Sequence, residues 1–305
     1  MLTSFDTILT DVKAQPKKVI AIAAAADDVV FQAVKRVEQE MGISECLFTG
    51  KKANILKCAE KAGYSITDEK RIFEAETDAE AAMRAVELVR AGDAHLPMKG
   101  QLQTPDYLRA ILNKEQGLRG SGALSHTGVY ELPDGRLFIL TDCAMTIAPD
   151  LETKIKIVEN AVSVARRLGA ETPNVAMLSF LEHVNPVSIH STEAAVISKM
   201  AERGQIKNCV IDGPLAYDNA LYAEAARHKG ITSPVAGNAD ILVVPHIDVG
   251  NPLSKALSMT AGLRFGGLVA GATVPVIMTP RADPATSKVL AIVLCQYILE
   301  NSKKN

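Results

Sequence analysis

The chain has no tryptophan, and aromatic residues make up only 4% of its 305 positions. Platforms for single-stranded nucleic acid stack bases on rows of aromatic side chains, so that class of partner is disfavoured. Charge of either sign is not in excess: 33 Lys and Arg face 35 Asp and Glu, a net −2. This balance speaks against bulk binding to nucleic acid or a membrane surface, while leaving room for a local basic pocket. No apolar run approaches the ~20 residues that a membrane helix needs. The opening segment, MLTSFDTILTDVK, is too polar and acidic for a secretory signal. The cysteines (Cys46, Cys58, Cys143, Cys209, Cys295) are odd in number and widely spaced, with no CxxC pair. That usage predicts reduced thiols and a cytoplasmic location, not a disulfide framework or a zinc site.

Several catalytic signatures are missing as well. Gly120-Ser121-Gly122-Ala123-Leu124-Ser125 fails the dinucleotide pattern at its last position, and Gly50-Lys51-Lys52 lacks the first glycine and the Ser/Thr of a phosphate loop. There is no HExxH and no GxSxG.

What is present is a globular chain, 48% hydrophobic and 22% charged. Its length suits two domains with a large core. Short apolar runs alternate with amphipathic stretches: Lys18–Ala26 then 27–41, Cys46–Thr49 then 51–62, Arg71–Ala75 then a helix opened by the capping box Thr77-Asp78-Ala79-Glu80. This alternation predicts an α/β fold with mostly parallel sheets covered by helices. The rhythm breaks at 127–143, where two β-rich runs flank Pro133-Asp134-Gly135, a hairpin signal. Alternation resumes with a helix over 151–168 and strands at 175–180, 209–212, 241–245, 267–270 and 274–279, then a final helix over 285–299. With no linker between them, the two halves are expected to be in close contact around a cleft.

Three helix starts pair a capping residue with proline: Thr104-Pro105, Asn251-Pro252 and Asp283-Pro284. Each follows an apolar strand, so each is expected at the carboxyl end of a sheet, where open α/β folds bind ligands and helix N-termini favour anions. Ordinary capping explains any one of them alone. Arg281, one proline beyond the apolar run VPVIMT, adds a group suited to phosphate or carboxylate, and Arg109 has a similar address near Thr104. Lys99-Gly100 fits a phosphate contact or a solvated turn equally well. Asp212-Gly213-Pro214 reads as a turn or a substrate contact, His183 and His190 as loop residues, and Cys143 as a small core residue.

Longer segments carry a resemblance. DGPLAYDNA (212–220), SPVAGNADILVVPHIDVGNPLSKAL (233–257), GGLVAGATVPVIMTPRADPATSK (266–288) and NVAMLSF (174–180) are similar to the phosphate acetyltransferase/phosphate butyryltransferase family. HLPMKGQLQTPDYLRAILNKEQGLR (95–119) resembles its butyryltransferase branch. The resemblance implies two α/β domains of the isocitrate/isopropylmalate dehydrogenase-like type, with the active site in the cleft. The first domain is expected over 1–147 together with 281–305, the second over 148–280. It also implies that a short-chain acyl-CoA and phosphate are interconverted with an acyl phosphate and CoA. CoA thioester and phosphate are then substrates, with no separate cofactor and no metal, and a homo-oligomer is expected. Arg281 and Arg109 match the family's phosphate-binding positions. Lys99, Thr104, Asp212 and Asn251 are further candidates for substrate contact. Pro280 stands where members commonly read serine, and Ser287 where acetyl-type members carry the proposed acidic base. Asp283, four residues before Ser287, is the nearest carboxylate and the substitute candidate.

Two other functions fit the same residues. An acyl-carrier-protein:phosphate acyltransferase shares the general fold, although its motifs are not seen. A CoA- or acyl-phosphate-binding protein with weak catalysis is the reading that Pro280 favours. A decarboxylating dehydrogenase of this fold would need a cluster of acidic metal ligands, and the Asp residues here are scattered.

Overall fold

The computed structural model describes residues 4–120, 122–281 and 283–302. The chain begins with α1 (Phe5–Lys13), β1 (Lys18–Ala23), α2 (Asp28–Lys35), β2 (Ser44–Gly50), α3 (Lys52–Lys61), β3 (Ile72–Glu74), α4 (Asp78–Ala91), β4 (Leu96–Lys99) and α5 (Thr104–Ile111). There follow β5 (Ser125–Glu131), β6 (Leu137–Thr141), α6 (Leu151–Arg167), β7 (Asn174–Leu178), α7 (Ile189–Glu202), β8 (Val210–Leu215), α8 (Tyr217–Leu221), α9 (Ala223–His228), β9 (Ile241–Val243) and α10 (Ile247–Lys255). The last elements are β10 (Phe265–Ala270), β11 (Val276–Ile277) and α11 (Ala285–Asn301).

Contacts divide the chain into two compact units. A terminal unit comprises 5–122 and the segment from Gly266 onward, and a central unit comprises 123–265. These seams differ from the expected ones at 147/148 and 280/281. The hairpin β5–β6 lies in the central unit because β6 bonds in parallel to β9, with Ile139 opposite Ile241. β11 lies in the terminal unit because it pairs with β4, Ile277 opposite Met98, and antiparallel with β10.

The terminal unit orders its strands β3-β2-β1-β4-β11-β10. β1 to β4 and β11 run parallel and β10 runs against them. The anticipated start of α4 holds. Thr77 accepts the Glu80 amide at 3.2 Å, the Glu80 carboxylate accepts the Glu76 amide at 2.9 Å, and Gly92 closes α4 with φ 85°. Phe31, Phe48 and Tyr64 form an aromatic cluster with ring centroids 5.2–6.3 Å apart. In α11 the five consecutive residues from Ala291 to Cys295 are fully inaccessible. A helix apolar on every side is one wrapped on every side, so α11 forms the middle of this unit's core.

The central unit orders its strands β5-β6-β9-β7-β8, antiparallel only at the β5–β6 hairpin. The turn falls where Pro133-Asp134-Gly135 predicted it, with Gly135 at φ 84°. Tyr130 stacks between Phe138 and Phe265 at 5.5 and 5.4 Å, and its hydroxyl hydrogen-bonds with Ser254 Oγ at 2.6 Å. These rings belong to a core cluster that also holds Leu140, Leu215 and Leu242.

Candidate active site

The best-developed group of reactive side chains lies in the terminal unit, where β1, β4 and β11 end. Lys99 is the last residue of β4, a strand buried along its whole length. The backbone beyond it lies on the end of β1: Gly100 N donates to Ala23 O at 2.9 Å and Gln101 N to Ala24 O at 2.7 Å. A Cβ at Gly100 would lie 2.5 Å from Ala24 O, so this close approach requires glycine. It leaves Lys99 only 5% exposed, its Nζ donating to Gly100 O at 3.3 Å. No carboxylate among the described residues forms an ion pair with it. Burial first, and then the charges of Arg281 and Lys288, push its pKa down to about 8, against a weaker opposing pull from Asp27.

The turn from β11 into α11 supplies the remaining groups. Arg281 is exposed there. Asp283 is not the expected helix cap. Pro284 takes the N-cap position, Ser287 N bonds to Pro284 O at 3.1 Å, and Asp283 uses its own amide on Pro280 O at 3.2 Å. The carboxyl turns inward instead, and its Oδ2 is buried without a hydrogen-bond partner among the described residues. Burial raises its pKa to about 6, with Lys288 acting in the opposite direction. Ser287 is buried in the first turn of α11. Lys288, beside it and 3% exposed, donates to Thr279 Oγ1 at 3.3 Å and Pro280 O at 3.1 Å. Burial lowers its pKa, opposed by Asp283 and Asp27.

Thus three cationic groups and one carboxyl of unusual basicity meet at the carboxyl edge of a parallel sheet. Lys99, Arg281, Asp283 and Ser287 were singled out in the sequence. Lys288 was not, although it carried a signal: a lone lysine in the first turn of a helix that is otherwise apolar all round.

The other sequence candidates sit elsewhere. Arg109 lies in the last turn of α5, where its solvent-facing guanidinium donates to Asp106 at 2.8 Å. Thr104 is the first residue of α5, after Gln103 as N-cap, so its hydroxyl makes no cap. In the central unit, Asn251 does not open a helix. His246 is the N-cap of α10, Pro252 lies within the helix, and Asn251 Nδ2 donates to Cys143 O at 3.2 Å. α10 can start early because Gly250 lets it press onto the end of β6, where a Cβ would meet Asp142 O at 2.8 Å. Asp212 is internal to β8, accepts the Gly213 amide at 2.8 Å and lines a cavity of about 540 Å³ with Ser198, Lys199 and Ser233. Cys143 is buried, as a core cysteine should be. Nearby, His126 is buried with no hydrogen-bond partner for Nδ1 among the described residues, and Asp142 accepts the amides of Ala144 and Met145, both at 3.0 Å.

Residues 71–295 match the phosphate acetyl/butaryl transferase family model. The chain belongs to this family. It is 42% identical to phosphate butyryltransferase of Clostridium acetobutylicum over 302 residues, covering 99% of this chain and all of that one. The branched-chain phosphotransacylase of Enterococcus faecalis V583 superposes with a TM-score of 0.80 at 34% identity, over 92% of this chain and 99% of that one. A 4-hydroxythreonine-4-phosphate dehydrogenase structure from Salmonella typhimurium shares the fold alone, with a TM-score of 0.57 at 14% identity over 92% and 99% of the two chains. The protein is an enzyme of the acyltransferase class with the two-unit α/β architecture expected from its sequence. No helix among the described residues is long and apolar enough to cross a membrane.

Proposed function

We propose that the enzyme transfers a short acyl group reversibly between CoA and inorganic phosphate, with butyryl-CoA preferred to acetyl-CoA, and that phosphate is held at the Lys99–Arg281–Lys288 cluster. The observation that carries this proposal is a set of cations with too little negative charge to match. Among the described residues, the carboxylates that act on the two buried ammonium groups are Asp283 and Asp27, and the exposed Arg281 guanidinium adds a third cation beside Lys99. A dianion satisfies such a cluster, and a guanidinium can grip phosphate through two parallel hydrogen bonds. Arg109 is assigned to phosphate by the family resemblance, while Thr104, Asn251 and Asp212 are substrate candidates from the places at helix starts and a strand end that the sequence predicted.

In the forward direction a phosphate oxygen attacks the thioester carbonyl. A C–O bond forms, the negative charge developing on the carbonyl oxygen is offset by the nearby cations, and the C–S bond breaks. The leaving thiolate takes the proton held by Asp283, and the proton that the attacking phosphate gives up restores the Asp283 carboxyl. In reverse, the Asp283 carboxylate removes the CoA thiol proton, the sulfur attacks the acyl carbonyl, the C–O bond breaks and the departing phosphate takes up that proton. A carboxyl titrating at about 6 serves both directions near neutrality, and Ser287 orients the thiol. Fixed cations supply the positive charge, so neither metal nor further cofactor is invoked.

The five unpaired thiols support a cytoplasmic setting. Phe180, Val187 and Ile189, apolar and 79%, 94% and 60% exposed, support a homo-oligomer. The deciding assay is CoA release from butyryl-, isobutyryl- and acetyl-CoA on adding phosphate, with chelator present and no metal added. Phosphate-dependent release, fastest with butyryl-CoA, is expected. Absence of release from all three thioesters would leave a binding protein.

A further inference from the structure

Lys288 has the features of a residue that acts through others. It sits one turn inside α11, is almost fully buried, and reaches back across the turn from β11 to bond both Thr279 Oγ1 and Pro280 O. One ammonium therefore ties together the end of the strand, the residue before Arg281 and the start of the helix. The charged groups around it come from three places in the fold. Asp283 stands on the same turn, Asp27 caps α2 by accepting the Val30 amide at 2.9 Å, and Lys99 ends β4 in company with Arg281. A buried cation without an ion-paired carboxylate is costly, and a methionine of similar length would fill the same space without the charge.

Building on the function proposed above, we propose that Lys288 is a positioning residue: its buried ammonium pins the turn that presents Arg281 and Asp283, and it stands as the shared charge between Asp283 and Lys99. Removing that charge has a signed consequence. Asp283 loses the cation that favours its carboxylate, so it holds its proton to higher pH. Lys99 loses a repelling cation, so it too holds its proton to higher pH. A residue that only filled space would move neither group.

The test is Lys288→Met, with Lys288→Arg as the variant that keeps the charge, each first shown folded by its thermal transition. Two measurements are made. The carboxyl carbon of Asp283, assigned by its loss in Asp283→Asn, is titrated by NMR with and without the substitution. In parallel, the pH profile of kcat/KM for phosphate is recorded. In Lys288→Met the Asp283 midpoint, about 6 with Lys288 in place, is expected to rise. The alkaline falls that Asp283 and Lys99 set, both groups acting in their protonated forms when phosphate is the substrate, are expected to move to higher pH, and the phosphate KM to increase about tenfold as the turn loosens. Lys288→Arg should recover part of the midpoint. An Asp283 midpoint unmoved in Lys288→Met overturns the proposal. The titration needs no activity, so it decides the role of Lys288 even if the unaltered enzyme releases no CoA, the result that would defeat the acyl-transfer reading instead.

Discussion

Replacing Asp283 with asparagine separates catalysis from stability in a way that a structural residue could not. The carboxyl is largely buried, its Oδ2 has no hydrogen-bond partner among the described residues, and its pKa is raised from 3.8 to about 6. At 1.36 kcal/mol per pKa unit, keeping it ionised in the folded state costs roughly 3 kcal/mol at most, less to the extent that water still reaches it. The sign is that of a carboxyl harder to ionise when folded. The penalty is fully present above pH 6 and fades as pH falls through 6 toward 3.8, because the proton is then bound in both states. Asparagine carries no such penalty, so Asp283→Asn at pH 7.5 should melt at the same temperature or a few degrees higher. The difference should shrink as the pH is lowered to about 4. The same change removes the group that holds the thiol proton. A free thiol of pKa near 8.5 is only a few per cent ionised at neutral pH, and a positioned base is worth roughly 10²–10⁴-fold. Loss of kcat by at least ~10²-fold together with unchanged or raised stability is the expected pair of results. CoA release is followed with a chromogenic thiol reagent, the enzyme's own five thiols being subtracted, and stability by differential scanning calorimetry. A kcat within a few-fold of the unaltered enzyme would refute the assignment of Asp283 as the base, and a melting temperature lowered by many degrees would show that the carboxyl is structural.

Other substitutions probe the anion site. Ser287→Ala should lose less activity than Asp283→Asn, because a hydroxyl can orient a thiol but cannot hold its proton; equal losses under the same assay would contradict this. Arg281→Lys and Arg109→Lys should each raise the phosphate KM or lower kcat by at least ~10-fold in steady-state kinetics, since an ammonium cannot replace a two-pronged guanidinium; unchanged phosphate kinetics in both would move the anion site elsewhere. Lys99, with its pKa near 8, should attract phosphate while protonated. Phosphate affinity should therefore weaken as pH rises through about 8, and the step should disappear in Lys99→Met, as measured by calorimetric titration with phosphate.

Much of this enzyme was already legible in its amino-acid order. Alternating apolar runs and amphipathic stretches determine a parallel α/β fold, because a strand buried on both faces and a helix buried on one leave different periodicities. The hairpin around Pro133-Asp134-Gly135 and the capping box at Thr77 are local devices whose bonds span only a few residues, and they form where the sequence places them. Arg281 was marked by its position alone, one proline beyond the apolar run 274–279. The tertiary structure decided what depends on distant partners. Asp283 looks like a helix cap when only its neighbours are considered, yet Pro284 takes the cap and the carboxyl turns inward. Asn251-Pro252 looks like a helix start, yet α10 begins earlier because Gly250 fits against the end of β6. The seams between the units follow from β6 pairing with β9 and β11 with β4, partners separated by many residues in the chain. Lys99 and Lys288 are ordinary lysines in sequence, far apart along the chain. Burial lowers the pKa of both, and the charges of Arg281 and Lys288 act through space to lower that of Lys99 further; only the fold brings β4 and α11 together.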